Sequence, residues 1–233
     1  AGGLISLIKT FPTMVKTFGH AMKGFGKTGD SQLRTQQDLS MKVVLGGVLI
    51  IAALIWLLPE IPVSLLGALM IVVFGFFFAT VSSRMVGIVG SSNNPVSGMA
   101  IATLLFSTLC LKVTGDTGVH GMKGAIALGS VICIIAAIAG DTSQDLKTGY
   151  LLGATPKTQQ IGELIGVVAS GLAIGGVLYL LDAAWGYGGA EVPAPQAGLM
   201  KMIVEGIMGG NLPWTLVFLS LIHISEPTRH LRI

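Results

Sequence analysis

The chain has 233 residues, 52% of them hydrophobic and only 11% charged, with a mean hydropathy of +0.80. An ordinary soluble domain carries about 25% charged residues and needs a polar coat, so this composition excludes a soluble fold of the same size and points to lipid as the solvent. The net charge of +3 is scattered and has no interleaved aromatics, which excludes a nucleic-acid partner.

Residues 1–27 place Leu4, Ile5, Leu7, Ile8, Phe11, Val15 and Phe18 on one side of a helix, with Lys9, Lys16 and Lys23 spaced by sevens on another. That pattern predicts an amphipathic helix at the membrane surface or packed on the bundle from the cytosol. Residues 28–42 are a polar loop, and 43–218 form a transmembrane helical region.

Within that region, Val43–Leu58 is the first apolar span, ended by the prolines of Pro59–Pro62. Val63–Ser82 is the second, and Arg84–Pro95 interrupts the apolar pattern. Val96–Val113 is the third, followed by a glycine-rich loop over Gly115–Lys123. Gly124–Gly140 is the fourth, and Asp141–Gln160 is a polar loop. Ile161–Leu181 is the fifth, Asp182–Gly198 is a turn-rich loop, and Leu199–Gly210 is too short to cross. The expected fold is therefore all-α: a polytopic transmembrane helix bundle with broken or re-entrant helices, of which this chain is a fragment.

The glycines, 33 in all, sit inside apolar runs, as in membrane helices that pack closely. Cys110 and Cys133 also lie in apolar runs and read as small buried hydrophobes rather than metal ligands. The chain opens at Ala1 with no charged leader or cleavage pattern, so no signal peptide is expected. Leu219–Arg229 reads LSLIHISEPTR, which resembles the translation of a transposase sequencing adapter. Residues 219–233 are therefore expected to be non-native, and His223, Glu226 and Arg229 receive no role.

With the N-terminal segment in the cytoplasm, alternating spans put Lys9, Lys16, Lys23, Lys27, Arg34, Lys42, Arg84, Lys147 and Lys157 inside, and only Lys112 and Lys123 outside. The Asp182–Gly198 loop holds no Lys or Arg and falls outside. This asymmetry fits the positive-inside rule and a multi-pass protein of the inner (plasma) membrane.

Three groups of residues carry chemistry. Ser92, Asn93, Asn94, Pro95, Ser97 and Gly98 interrupt two long apolar runs, as a broken helix does where freed backbone groups meet a ligand. Spacing alone equally describes an interfacial turn capped by Asn and Ser. Asp141 and Asp145 share a helix face at a span end, where paired carboxylates bind a proton or cation, or else stand in a solvated loop. Gln144, Lys147 and Tyr150 lie in the same block. Glu163 is an ionisable residue near the start of the fifth span, a functional candidate by position or, within a turn of the membrane edge, a group that stays hydrated. The chain contains no GxSxG, HExxH or phosphate-binding loop, so neither an enzyme nor an ATP-driven pump is supported, and no cofactor or metal is expected.

The blocks SSNNPVSGM, AGDTSQDLKTGYLLGATPKTQQIGELIG and APQAGLMKMIVEGIMGGNLPW, in that order, resemble the oligopeptide transporter (OPT) family, especially its bacterial members and yellow stripe-like branch. The resemblance implies proton-coupled uptake of oligopeptides or metal–chelator complexes, with membrane lipid, a small peptide or metal chelate, and protons as partners. Family members are far longer, so the resemblance also implies that the remaining segments of the carrier lie outside this chain. The positions that match are Ser92, Asn93, Asn94, Pro95, Ser97 and Gly98, then Gly140, Asp141, Gln144, Asp145, Lys147, Thr148, Gly149 and Tyr150. A pathway lining is implied for them. The competing class is a channel or a structural membrane subunit, since broken helices also build filters.

Overall fold

A computed structural model of the chain describes residues 33–91 and 96–210, together with Pro12 and Lys16. Apart from those two positions, the expected amphipathic helix lies outside the described residues. So do Ser92–Pro95, the side chain of Ser97, and the adapter-like tail. The described residues form helices and no strand, as an all-α membrane bundle requires.

After a short 3-10 turn at Arg34–Gln36 come six α-helices: α1 (Met41–Leu57), α2 (Leu65–Val89), α3 (Val96–Val113), α4 (Val119–Leu152), α5 (Pro156–Trp185) and α6 (Pro195–Gly209). By length and composition α1 with its preceding turn, α2, α4 and α5 can cross a membrane. With 18 residues, α3 spans about 27 Å, and with 15 residues α6 spans about 22 Å.

Helix ends follow backbone chemistry rather than polarity. The side chain of Ser64 caps α2 by accepting from the Gly67 N–H at 3.2 Å. Arg84 does not end α2: the helix runs on to Val89 and stops only where Gly90 takes a left-handed φ of 72°. The expected loop over Asp141–Gln160 is likewise mostly helix. Gln, Leu and Lys propagate a helix readily, and α4 continues for 34 residues until Gly153, at φ 73°, allows the turn. Pro156 then begins α5 at a position where its missing N–H costs nothing. The connections predicted at 115–123 and 182–198 shrink to short links before Val119 and Pro195.

α2 and α4 are the central pair, with α3 and α6 packed on α4. Ile71, Leu104, Leu111, Ala125, Leu128 and Val204 build one core, and Phe78, Val81, Met99, Ile132 and Ala136 a second. Glycine allows the close approach: a Cβ on Gly75 would lie 2.9 Å from Ile135, and one on Gly124 would lie 2.6 Å from the Pro62 carbonyl oxygen. Buried hydroxyls are satisfied inside the bundle. Thr103 and Thr108 donate to carbonyls one turn back, and Ser82 donates across to the Ala136 carbonyl.

α6 runs in the same sense as α3. Met200 lines an apolar cleft with Ala100 and Leu104 near the start of α3, and the Lys112 ammonium near its end donates to the Ile207 carbonyl at 2.6 Å. A cation there also meets the negative end of the α6 dipole.

Candidate functional site

At about 51 Å, α4 is longer than the roughly 30 Å of hydrocarbon that a span has to cross. Its apolar stretch ends at Gly140. The extension from Asp141 to Leu152 carries Asp141, Gln144, Asp145 and Lys147, side chains that lipid would penalise.

This extension is pinned to α2. The Ser143 hydroxyl donates to the Ser83 carbonyl at 2.7 Å, and the Lys147 ammonium donates to the Gly87 carbonyl. Gly87 permits the approach, since a Cβ there would stand 2.9 Å from the Ser143 hydroxyl. Lys147 thus serves the last turn of α2, where a cation offsets free carbonyls, rather than neutralising Asp141 or Asp145.

The α4–α5 corner brings together residues that lie far apart along the polar block. The Gln159 amide donates to both the carbonyl and the carboxylate of Asp145 at 3.4 Å. Gln159 occupies the niche left by Gly149, where any Cβ would collide with its amide. Glu163, one turn further along α5, faces Thr142 and Asp145. One Glu163 carboxyl oxygen is buried without a hydrogen-bond partner among the described residues. The carboxylate facing Asp145 is therefore Glu163, while Asp141 stays exposed one turn earlier. Gln144 is half-buried, and Tyr150 is 73% exposed at the end of α4.

Beside this corner an open cleft of about 410 Å³ lies between α2 and α4, lined by Phe76, Thr80, Ser83, Thr142, Ser143 and Leu146 among others. Thr142 belongs to both the cleft and the carboxylate corner. Thr142 and Ser143 belong to the polar block that stands out in the sequence, whereas Thr80 and Ser83 do not. The available signal was Thr80 and Ser83, three apart on α2, opposite the adjacent Thr142 and Ser143 on α4. Of the other polar block, Gly98 is buried in the first turn of α3. Its neighbour Val96 packs with Met99, Ile132 and Ala136, little more than a turn from Asp141.

A second set of contacts reaches the same corner from before α1. The Arg34 guanidinium donates to the Thr155 hydroxyl at 3.0 Å and to the Gly153 carbonyl at 2.8 Å. The Lys157 N–H donates to the Gln37 carbonyl at 2.8 Å. The Gln160 side chain accepts from the Leu39 N–H at 2.9 Å and donates to Asp38 at 3.2 Å. Arg34, Lys42, Arg84, Lys147 and Lys157 consequently belong to one end of the bundle.

Residues 1–224 match the family model described as OPT oligopeptide transporter protein. The chain is 37% identical over 180 residues to a Haemophilus influenzae protein named "Putative oligopeptide transporter", covering 68% of this chain and 28% of that protein. It is 31% identical over 103 residues to the Oryza sativa "Probable metal-nicotianamine transporter YSL10", covering 42% of this chain and 15% of the relative. A Saccharomyces cerevisiae protein, "Putative oligopeptide transporter YGL114W", is 30% identical over 139 residues, covering 59% and 18%. No solved structure gives a significant match. The chain spans little more than a quarter of the length of its bacterial relative.

Proposed function

Because this chain belongs to the OPT oligopeptide transporter family, we propose that it forms part of a proton-coupled carrier of the inner membrane that takes up small peptides or metal–chelator complexes. Relatives named as oligopeptide and as metal-nicotianamine transporters support that pair of substrate classes. The bundle end that carries Lys42, Arg84, Lys147 and Lys157 faces the cytoplasm on this reading, in keeping with the positive-inside rule.

The observation that carries the coupling step is Glu163, whose buried carboxyl oxygen has no hydrogen-bond partner among the described residues while the group faces Asp145 and Thr142. Two carboxyl groups meeting where a polar helix end leaves the lipid are a place for an exchanged proton. Asp145 and Glu163 take and release the coupling proton, with Asp141 one turn away. Gln144 and Tyr150 line the same approach, and Lys147 holds it against α2. Ser92, Asn93, Asn94, Pro95, Ser97 and Gly98 supply polar contacts to the substrate.

Uptake and counterflow by the full-length carrier in proteoliposomes, with peptide and metal-chelate substrates, test this reading. Asp145→Asn and Glu163→Gln abolish gradient-driven uptake and spare counterflow, which needs no net proton movement. Asn94→Ala weakens substrate binding about tenfold, the scale of a hydrogen bond lost in a desolvated site. Wild-type uptake in all three variants would reduce these segments to solvated connectors.

A further inference from the structure

We propose that residues Arg34–Leu39 form a latch on the α4–α5 corner, which sets the angle of α5 and opens during the transport cycle. None of the side chains in this contact is assigned a role by the reading above. The latch consists of five hydrogen bonds between segments about 120 residues apart in the chain, all converging on Gly153, Thr155, Lys157 and Gln160.

Within this chain, α5 is held mainly at its base. α5 has 30 residues and not one is buried against the rest of the described chain. It leaves α4 through the Gly153–Thr155 turn, whose first residue already sits at a left-handed φ. Past Glu163, its glycines at 166, 171, 175 and 176 have no heavy atom within 4 Å of a modest side chain. Within this chain the angle of α5 is therefore set at its base, by Gln159 and Glu163 against α4 and by the latch.

The latch is built to release. Arg34 and Asp38 are exposed and Thr155 and Gln160 only half-buried, so water reaches the bonds as they break, and the net cost of opening is far below that of parting the packed α2–α4 pair. Arg34 is its central element, because one guanidinium spans both Thr155 and the free Gly153 carbonyl at the C-terminal end of α4. Opening lets α5 swing about Gly153, which carries Glu163 away from Asp145 and Thr142. Arg34 and Gln160 are thus positioning residues acting through the placement of Glu163.

The test uses the full-length carrier in lipid nanodiscs, with Cys110 and Cys133 replaced by serine and spin labels at Gln37→Cys and Lys157→Cys. Two distance populations are expected, one short and one long. Arg34→Ala should move the balance about tenfold toward the long one, and Arg34→Lys less, since an ammonium cannot make both bonds in one plane. A single short population that Arg34→Ala leaves unchanged overturns the latch. Cross-linking the same two cysteines should stop uptake, and reduction should restore it, whereas full uptake through the cross-linked carrier overturns the opening step. Only this last arm rests on the transporter reading. A wild type that moves no substrate would sink that reading and leave the distance measurement to decide the latch.

Discussion

α4 and α5 are consecutive, similarly long and nearly equal in hydropathy, yet they differ completely in how they are covered. Nine residues of α4 are buried, while none of α5 is buried against the described chain. Both carry several glycines. Those of α4 sit under neighbouring atoms, and those of α5 face open space. In lipid, hydropathy reports the solvent and says little about packing. What separates the two helices is complementarity on the facing element. α2 presents Gly75, Ser82 and Gly87 to Ile135, Ala136 and Ser143, and no described element presents anything comparable to α5 beyond Glu163.

The largest effect expected from this contrast comes from paired glycine substitutions. Gly124→Leu would set a Cβ 2.6 Å from the Pro62 backbone oxygen, which cannot swing aside, and should cost about 3 kcal/mol or more. At Gly171 an added Cβ meets open space, so Gly171→Leu should cost nothing and by helix propensity stabilise by at most about 1 kcal/mol. Thermal unfolding in detergent reads both, and equal melting of the two variants would break the comparison. Next, Ile132→Ala at a fully buried position should cost about 2–5 kcal/mol. Leu172→Ala at a 76% exposed one should cost almost nothing in the same assay. A smaller effect is expected for Lys112→Met, which removes the cation from the end of α6 and should cost about 0.5–2 kcal/mol. Hydrogen exchange should quicken selectively in α6, and a uniform rise across the bundle would contradict a local cap. The smallest is Ser82→Ala, about 1 kcal/mol for one interhelical hydrogen bond, which should loosen α2 against α4 without touching α5.

Much of the fold was legible because span composition is a strong signal. Val96–Val113 was read to its exact bounds, and the family was recognisable from three short polar blocks. The ends of α2 and α4 are not legible in composition, because polarity alone does not stop a helix. A helix leaving the membrane has no reason to end until a residue such as Gly90 or Gly153 permits the turn. At the candidate site, Asp145 and Glu163 each stand out in the sequence as ionisable groups, but their meeting does not, because it depends on a three-residue turn folding α5 back onto α4. Arg34 was counted only as a topology charge. Its role at Gly153 and Thr155 is a contact over about 120 residues, which no local pattern encodes.

The shared direction of α3 and α6 bears on how the crossings are counted. Strict alternation through α4 and α5 would leave α6 running against α3, yet both approach Lys112 with their C-terminal ends. Even and odd numbering thus stops predicting sidedness after α5. Either α5 does not complete a crossing, or the link between Gly186 and Ala194 brings the chain back through part of the bundle's depth. In both cases the Pro195 end of α6 lies toward the same side as Val96, Arg84 and Lys157. The charge-poor link before it, placed outside by simple counting, is then the stretch where the polypeptide changes its heading.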